Sequence, residues 1–447
     1  MSRAHVEQEI RRFLDIGPVQ VAELDLEGPG AALRPGPGSP PVTHGEVFLL
    51  VRRDGRPIGT LLGRVPEGAD PKTVLAGLAR ERIVPERAGS GNGAETTERS
   101  SGSAGAAPPA PSVPYTSVVI ATRERAGQLA HALDSMLAQD HPDFEIVVVD
   151  NAPVTDTTRD LIERKYAERV RYVTEPVPGL AVAHNRGVEA ARGEVIAFTD
   201  DDVVADPRWL TGLTAPFTAD PGLGCVTGLI LPARLRTPAQ VLLESHGGFA
   251  KGFEARTYDP ADPPADEPLF PFTAGRFGSG ANMAFRRSVL RAVGGFDPAT
   301  GAGTPARGGD DLYGFVRVLA QGHRLHYAPQ ALVWHHHRET WQDLETQAYG
   351  YGAGLTAYLT AVLVNRPGLL PAFLARLPRG LARARTLTAT READADGTRT
   401  PGAHDDRSHP WPRRLSRLQR RGMAYGPIGY LRARRALRAA LVARESR

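Results

Sequence analysis

Short hydrophobic runs alternate with amphipathic stretches through the middle of the chain. The runs SVVIAT, EIVVVD and EVIAFTD are rich in β-branched residues, and polar or turn residues bound each of them. Stretches with helical character separate them, over residues 128–139, 157–166 and 181–191. Strands that alternate with helices are typical of a mostly parallel sheet covered on both faces. The pattern therefore predicts an α/β domain with a Rossmann-like sheet.

Polar residues follow the predicted strands directly. They are Thr122-Arg123, Asp150-Asn151 and Asp200-Asp201-Asp202. In open α/β sheets, ligands bind beyond the carboxyl ends of the strands. We therefore expect these side chains to lie near one another and to line a binding site.

The flanking regions have different patterns. In residues 1–87, two apolar runs flank Arg-Asp-Gly-Arg, a hairpin signal that predicts a small accessory α+β module. Residues 88–113 are rich in Gly, Ser, Ala and Pro and predict a flexible linker. The main domain is expected over 114–347. A helical apolar extension (348–390), a disordered segment (391–410) and a basic helical tail (411–447) are expected to follow it.

Composition and charge narrow the picture further. A single cysteine, Cys225, excludes an internal disulfide framework and a cysteine-built metal site. The net charge is +4, yet residues 411–447 hold eleven arginines and one glutamate, so the rest of the chain is acidic. The chain offers no signal-peptide run and no stretch of about 18 apolar residues. We therefore expect a cytoplasmic protein, peripheral at the inner face of the plasma membrane if the tail binds anionic lipid.

The sharpest chemical feature is the run of three carboxylates, Asp200 to Asp202. They would repel one another at a buried strand end unless a cation lay among them. Hard oxygen ligands suit Mg²⁺ or Mn²⁺. An acidic loop or a helix N-cap ahead of Pro207 is the alternative interpretation. The position directly after an apolar strand favours the metal.

Two further clusters carry candidate chemistry. Asp310 and Asp311 follow two glycines and open a helical pattern, so one of them could take a proton from an attacking hydroxyl or simply cap the helix. His335, His336 and His337 follow a short strand. Imidazole is a common metal ligand, and His335 is the preferred candidate, although ordinary hydrogen-bonded histidines remain an alternative.

Several segments of the chain, taken in order, resemble a known family. The ordered segments SVVIATRERAGQLAHALDSML, FEIVVVDNA, PGLAVAHNRGVEAARGEVIAFTDDD, GSGANMAFRRSVLRAVGGFD and GGDDLYGFVRVLAQGHRL are similar to the large inverting family-2 glycosyltransferases of the GT-A fold. The resemblance covers more than half of the chain. It implies transfer of a sugar from a nucleotide-diphosphate sugar to an acceptor hydroxyl, with inversion.

The resemblance also implies roles for individual residues. Asp202, Asp200 and His335 are expected at the metal, and Asp311 is expected as the base. The family usually has Glu-Asp where this chain has Asp310-Asp311, so which of the two acts is left open. The remaining expected site residues lie on the donor side (Thr122, Arg123, Asp150, Asn185, Asp200, Asp201) and the acceptor side (Gly280, Asn282).

Partners follow from the same reasoning. UDP is the expected nucleotide because it is the commonest in the family, whereas the acceptor and the sugar are open. Two other functions remain, a nucleotide-sugar-binding subunit without activity and a sugar nucleotidyltransferase. Asp311 argues against the first, and the lysine-free ATRERAGQ segment argues against the second. The arginine tail has few aromatic residues, so no nucleic acid is expected, and it predicts contact with anionic membrane.

Overall fold

The computed structural model describes residues 13–27, 32–83, 113–246, 248–379, 382 and 411–445, with the side chains of 440–445 left out. Two predicted segments lie outside this described part. They are the linker, apart from its last residue Val113, and the disordered segment 391–410. The same is true of residues 380–390 except 382.

The N-terminal region forms a four-stranded sheet in the order β2-β1-β3-β4. The predicted hairpin is present, because β3 and β4 pair antiparallel around the Asp54-Gly55 turn. The helix α1 begins after Asp70, whose side chain accepts a hydrogen bond from the Thr73 amide. The elements are β1 (Gln20–Asp25), β2 (Leu33–Pro35), β3 (Gly45–Arg53), β4 (Arg56–Val65) and α1 (Pro71–Arg82).

This region packs against the main domain. Val19 pairs with Leu235 in an isolated β-bridge. Arg52, which is buried, joins Glu23 of its own sheet at 2.9 Å to Asp206 of the main domain at 2.6 Å. The accessory sheet is therefore fixed to the segment that follows the acidic run.

The main domain is built on a nine-stranded sheet in the order β11-β13-β10-β12-β8-β5-β6-β7, with β9 paired to β13. The strands are β5 (Thr116–Thr122), β6 (Phe144–Asn151), β7 (Val170–Glu175), β8 (Val195–Asp200), β9 (Val203–Ala205), β10 (Leu223–Pro232), β11 (Arg256–Tyr258), β12 (Asn282–Arg286) and β13 (Arg324–His335).

The predicted fold class is confirmed. Strands β8, β5, β6 and β7 are parallel neighbours, and so are β10 and β13. Strand β12 runs antiparallel between these two halves. The central residues of β5 and β6 are fully buried because helices cover both faces. These helices are α2 (Ala126–Met136), α3 (Thr157–Leu161), α4 (Leu180–Ala190), α5 (Trp209–Ala219), α6 (Pro238–Ser245), α7 (Arg287–Ala292) and α8 (Asp310–Ala320).

The C-terminal helices are α9 (Trp341–Asn365), α10 (370–379) and α11 (Arg413–Glu445). The domain boundary predicted at 347/348 lies inside α9. Among the described residues, no single helix is long and apolar enough to span a membrane. The bent pair of helical segments Trp341–Asn365 and Pro367–Arg379, taken together, has sufficient length and apolar composition.

The basic tail is part of the folded body. Glycines let α11 approach α9 at backbone distance, because a Cβ at Gly422 would lie 2.1 Å from the Tyr349 carbonyl oxygen. Tyr430 and Ala433 of α11 are buried in the main core, and Leu437 packs against it. Among the leucines of α11, Leu437 therefore packs inside the protein, whereas Leu431 is 48% exposed.

Candidate functional site

The three carboxylates lie at the carboxyl end of β8, next to the end of β5. Asp201 is held by the Thr122 hydroxyl at 2.7 Å and by Arg125 Nη1 at 3.0 Å. The same Arg125 nitrogen lies 3.3 Å from Asp202 Oδ2. Both carboxylate oxygens of Asp201 are thus bound within the protein, whereas Asp202 has only Oδ2 bound in this way.

Asp200, Asp202 and His335 come together as the sequence predicted for a metal site. One potential ligand atom from each lies within 4.8 Å of the other two. Asp202 Oδ1 is buried without a hydrogen-bond partner among the described residues, and His335 Nε2 is 3.3 Å from it. Carboxylates are suitable ligands for Mg²⁺ or Mn²⁺, and a neutral imidazole is a common ligand for transition-metal ions. The residues present therefore fit a divalent cation.

The electrostatics agree with that arrangement. Burial, together with the neighbouring Asp202 and Asp201 carboxylates, raises the pKa of Asp200 well above its usual range. Burial and the adjacent His337 and Arg338 hold the pKa of His335 well below its ordinary value, so the imidazole stays neutral. A cluster of crowded carboxylates with a neutral imidazole is poorly stabilised by the protein alone. A cation would relieve the repulsion.

Arg125 was missed by the sequence analysis, which singled out Arg123 instead. Arg123 lines the cleft but is exposed. Arg125 begins α2 as its N-cap residue, which aims its side chain back toward the carboxylates. No spacing rule distinguishes the two arginines, because the turn after β5 decides which of them faces inward.

The second acidic pair opens α8. Gly309 has a positive φ of 88°, and a Cβ there would lie 2.5 Å from the Gly354 carbonyl oxygen of α9. Glycine is needed at this position for both reasons. The helix therefore starts tightly against α9, with both aspartates in its first turn.

The two aspartates have different environments. Asp310 is buried and lies 3.1 Å from Nδ1 of His184, a buried histidine of α4. Asp311 accepts hydrogen bonds from the amides of Gly280 and Leu312, at 2.9 and 2.8 Å. Burial, and secondarily Asp310, raises the pKa of Asp311 to about 6. Asp311 is thus fixed beside Ser279 and Ala281, which line the cleft, whereas Asp310 is directed at His184.

A cleft of about 1030 Å³ runs along this edge of the sheet. Its first wall comes from the parallel half and the acidic run. Its second wall comes from the loop before α8 and from the C-terminal helices, including Tyr425 of α11. The residues of this second wall include Phe249, Thr304, Pro305, Arg307, Arg338, Thr346, Gln347, Tyr351 and Tyr425.

Asp150 lies deeper than the sequence suggested. It is fully buried at the end of β6, where Tyr172 donates to Oδ2 at 2.9 Å and Oδ1 has no hydrogen-bond partner in the described part of the chain. Burial raises the pKa of Asp150 despite the Tyr172 hydrogen bond. The next residue, Asn151, is the one that lines the cleft. Its amide is engaged by Val177 and Gly179.

Two predicted site residues are structural. Asn185 was expected at the donor, but its side-chain amide donates to the Phe296 carbonyl and accepts from the Phe296 amide, at 2.8 and 2.9 Å. Asn282 was expected on the acceptor side, but it is fully buried, where its side chain joins the Trp209 indole to carbonyls of β10 and β13. Both amides have their hydrogen bonds made within the core. Gly280, in contrast, lies at the site through Asp311.

Together, the sheet, the acidic edge and the histidine define an α/β domain with a site suited to a divalent cation. Residues 117–294 match the model of the family described as Glycosyl transferase family 2. This segment is therefore similar to the family-2 glycosyltransferases, as the resemblance in the sequence predicted. Asp311 and His335 lie beyond the matched segment, so their roles depend on the geometry above.

Curated relatives belong to the same class. The chain is 27% identical over 288 residues to the pre-mycofactocin glycosyltransferase of Mycobacterium tuberculosis. The aligned region covers 63% of this chain and 56% of that protein. It is 25% identical over 241 residues to the glucosyl-dolichyl phosphate glucuronosyltransferase of Haloferax volcanii, covering 49% of this chain and 68% of that protein. The chain thus spans little more than half of the mycobacterial relative.

Among solved structures, a mannosyltransferase of Pyrobaculum calidifontis, in complex with GDP-Man and Mn²⁺, is 21% identical. The match covers 71% of this chain and 87% of that one, with a TM-score of 0.44.

Proposed function

We propose that this protein is a metal-dependent glycosyltransferase that moves a sugar from a nucleoside diphosphate to an acceptor hydroxyl with inversion. The convergence of Asp200, Asp202 and His335 at the edge of a family-2 domain carries the proposal. UDP is the nucleotide proposed first. The acceptor and the sugar are left open.

The donor side depends on the acidic edge. Asp200, Asp202 and His335 would hold Mg²⁺ or Mn²⁺, which, when bound, would stabilise the charge that grows on the leaving diphosphate. Arg125 keeps Asp201 and Asp202 in place through two contacts, at 3.0 and 3.3 Å. Thr122, Arg123 and Asn151 would surround the nucleoside. Asp150 Oδ1, which has no hydrogen-bond partner among the described residues, is suited to an N–H of the base. That contact requires Asp150, which is fully buried, to become accessible.

The acceptor side depends on Asp311. An inverting transfer needs a base that takes the proton of the attacking hydroxyl. The Gly280 and Leu312 amides hold the Asp311 carboxylate in a fixed direction, and lone pairs remain for a substrate hydroxyl. Asp310 is the weaker candidate, since it is directed at His184. A pure nucleotide-sugar-binding subunit would have no need of such a carboxylate.

Nucleotide binding tests the donor site. The full chain would be titrated with UDP, dTDP, GDP and CDP by calorimetry, with and without Mn²⁺, beside an Asp202→Asn variant. We expect one nucleotide to bind only with the metal, and we expect the variant to lose that binding. Asn185→Ala is the matched control, since its side chain lies outside the cleft. Equal binding by the Asp202→Asn variant would refute the proposed metal site.

We also propose that α11 contacts anionic membrane and so places the enzyme at the cytoplasmic face, near a lipid-linked acceptor. Ile428 and Leu431 are 52% and 48% exposed on this helix, and Arg432, Arg435 and Arg438 are exposed beside them. Exposed apolar residues flanked by arginines are typical of interfacial helices. The buried face of α11 meanwhile packs on the main domain, so the contact would be superficial.

Point substitutions test this contact better than removal of the tail, because Tyr430 and Ala433 belong to the core. The Ile428→Glu/Leu431→Glu double variant should lose sedimentation with phosphatidylserine vesicles at low salt. A Val154→Glu variant is the control, since Val154 is 79% exposed in a loop of the parallel half. Unchanged sedimentation of the double variant would contradict the membrane proposal.

A further inference from the structure

A buried chain of side chains leads away from the candidate metal site. It starts at Asp202 Oδ1, 3.3 Å from His335 Nε2. His335 Nδ1 lies 3.2 Å from His337 Nδ1, and His337 Nε2 lies 3.2 Å from Glu244 Oε2. All four side chains are buried. Each ring nitrogen of the two histidines therefore has one polar neighbour within this set of four side chains.

The fold builds this chain from two distant segments. His335 ends β13, and the His335 and His337 side chains lie on the same side of the segment, since their Nδ1 atoms are 3.2 Å apart. Glu244 comes from α6, which begins with a capping box between Thr237 and Gln240. Gln240 also donates to the His337 carbonyl at 3.1 Å, which ties α6 to the end of β13.

The donor and acceptor groups of these side chains determine which atom donates in each contact. An ionised Glu244 only accepts, so His337 must carry its proton on Nε2. A neutral His337 then presents a lone pair at Nδ1, and His335 must donate from its own Nδ1. His335 Nε2 is left with a lone pair directed at Asp202 Oδ1. Two acceptors face each other across 3.3 Å, an arrangement that a cation between them would stabilise.

We propose that Glu244 and His337 are positioning residues that hold His335 in the Nδ1–H tautomer and so prepare Nε2 as a ligand for the divalent cation. This inference rests on the proposed function, because it concerns the same metal site. Partners of this kind orient metal-binding histidines and fix their tautomer, and their loss typically weakens metal affinity by about 10–100-fold. Phe249, whose ring lies 5.2 Å from His335 and 5.5 Å from His337, keeps both imidazoles packed.

Metal affinity is the first test. Mn²⁺ alone would be titrated into the full chain, and free Mn²⁺ would be followed by electron paramagnetic resonance. Glu244→Gln keeps the volume but no longer selects one tautomer, since an amide both donates and accepts. We expect about tenfold weaker Mn²⁺ binding for Glu244→Gln, and about 10–100-fold weaker binding for His337→Leu.

Two further variants separate the hydrogen bond from mere packing. His337→Asn places an amide oxygen near the position of Nδ1, so its affinity for Mn²⁺ should stay within about threefold of the wild-type value. That change is smaller than the loss expected when the hydrogen-bond partner of His335 is removed. His336→Gln is the matched control, because the His336 side chain is not among the hydrogen-bond and ion-pair partners of His335, His337 and Glu244 in the described part of the chain. Unchanged affinity in Glu244→Gln and His337→Leu would overturn the proposal, as would equal losses in His337→Asn and His337→Leu.

A spectroscopic measurement tests the tautomer directly and without metal. Long-range ¹⁵N–¹H correlation of histidine-labelled protein should show His335 with its proton on Nδ1 and His337 with its proton on Nε2. Glu244→Gln should give a mixture at both residues. The opposite tautomers in the wild type would overturn the proposal. Failure of the wild type to bind Mn²⁺, with the tautomers as expected, would refute the proposed function instead.

Discussion

The two walls of the cleft are assembled in different ways. The first wall, called the donor wall below, comes from β5, β6 and β8, where the candidate residues lie at or directly after the carboxyl end of a parallel strand. The opposite wall comes from the loop before α8, the end of β13, and helices α9 and α11, which are separated by long stretches of chain. Parallel strands bring their carboxyl ends to one edge automatically. Chemistry on the second wall depends instead on side-chain packing between remote elements.

The two walls are suited to different tasks. The donor wall offers carboxylates already bound by Thr122 and Arg125, which fits a constant task such as holding a cation and a diphosphate. The second wall mixes aromatic and cationic side chains such as Tyr351, Tyr425 and Arg307. We expect changes on the first wall to affect nucleotide and metal binding, and changes on the second to affect transfer or the acceptor.

Asp311→Asn should have the largest effect. An amide cannot accept the proton of the attacking hydroxyl, and general base catalysis typically contributes about 10²–10⁴-fold. We expect kcat to fall by that factor, while the Mn²⁺ and nucleotide affinities stay within about threefold of the wild-type values. A change of that size is smaller than the affinity loss that removal of a residue supporting a metal ligand typically causes. Initial rates and calorimetry on one preparation would check both. A loss of nucleotide binding equal to the loss of rate would place Asp311 on the donor wall.

The pH dependence of the reaction should reflect the same residue. Burial and Asp310 raise the pKa of Asp311 to about 6 from an ordinary value of 3.8. The base must be ionised to act, so kcat/KM should be constant above that pH. It should fall by about tenfold per pH unit below it. Rates between pH 4.5 and 8 would show the profile, and a constant rate down to pH 4.5 would contradict it.

Separation of α11 from α9 should damage the second wall selectively. A Cβ at Gly426 would lie 2.0 Å from Thr356 Oγ1 and 2.4 Å from the Ala353 carbonyl oxygen. Gly426→Val should lower the free energy of unfolding by about 1–3 kcal/mol, as overpacking does. It should also move Tyr425 and impair transfer more than nucleotide binding. Denaturant unfolding and calorimetry would measure these effects, with Gly77→Ala as control, since a Cβ there meets open space.

The smallest effect is expected for Asn185→Ala. Its two hydrogen bonds to the Phe296 backbone contribute to stability alone, so we expect a loss of about 1–2 kcal/mol in unfolding free energy. Nucleotide affinity should be unchanged. Weaker nucleotide binding without a loss of stability would return Asn185 to the donor wall.

Sequence reasoning was therefore most successful where local order implies spatial order. Alternating strands and helices predicted the α/β sheet, and the strand-end rule placed Thr122, Asp200 and Asp202 at one edge. The histidine at the end of β13 was also found, because His335 likewise lies at a strand end. Asp150 ends a strand too, yet it is buried rather than at the surface of the cleft.

The same reasoning failed where a polar residue had an equally good partner inside the protein. Asn185 and Asn282 matched motif positions, but amides bond as readily to backbone carbonyls and amides as to a ligand. Nothing in the local sequence shows which partner is within reach. Arg125 was overlooked for the related reason that the turn after β5, rather than the spacing, decides which arginine faces the carboxylates.

By itself, the sequence determined the class of fold, the acidic edge and the residue types available for a cation and a base, because strand periodicity and strand ends are local properties. Only the tertiary structure decided that Asp310 is directed at His184 and Asp311 at Gly280, that Glu244 reaches the histidines, and that α11 completes the cleft. These contacts join segments that are far apart in the chain. They depend on how helices pack at backbone distance, which no local pattern specifies.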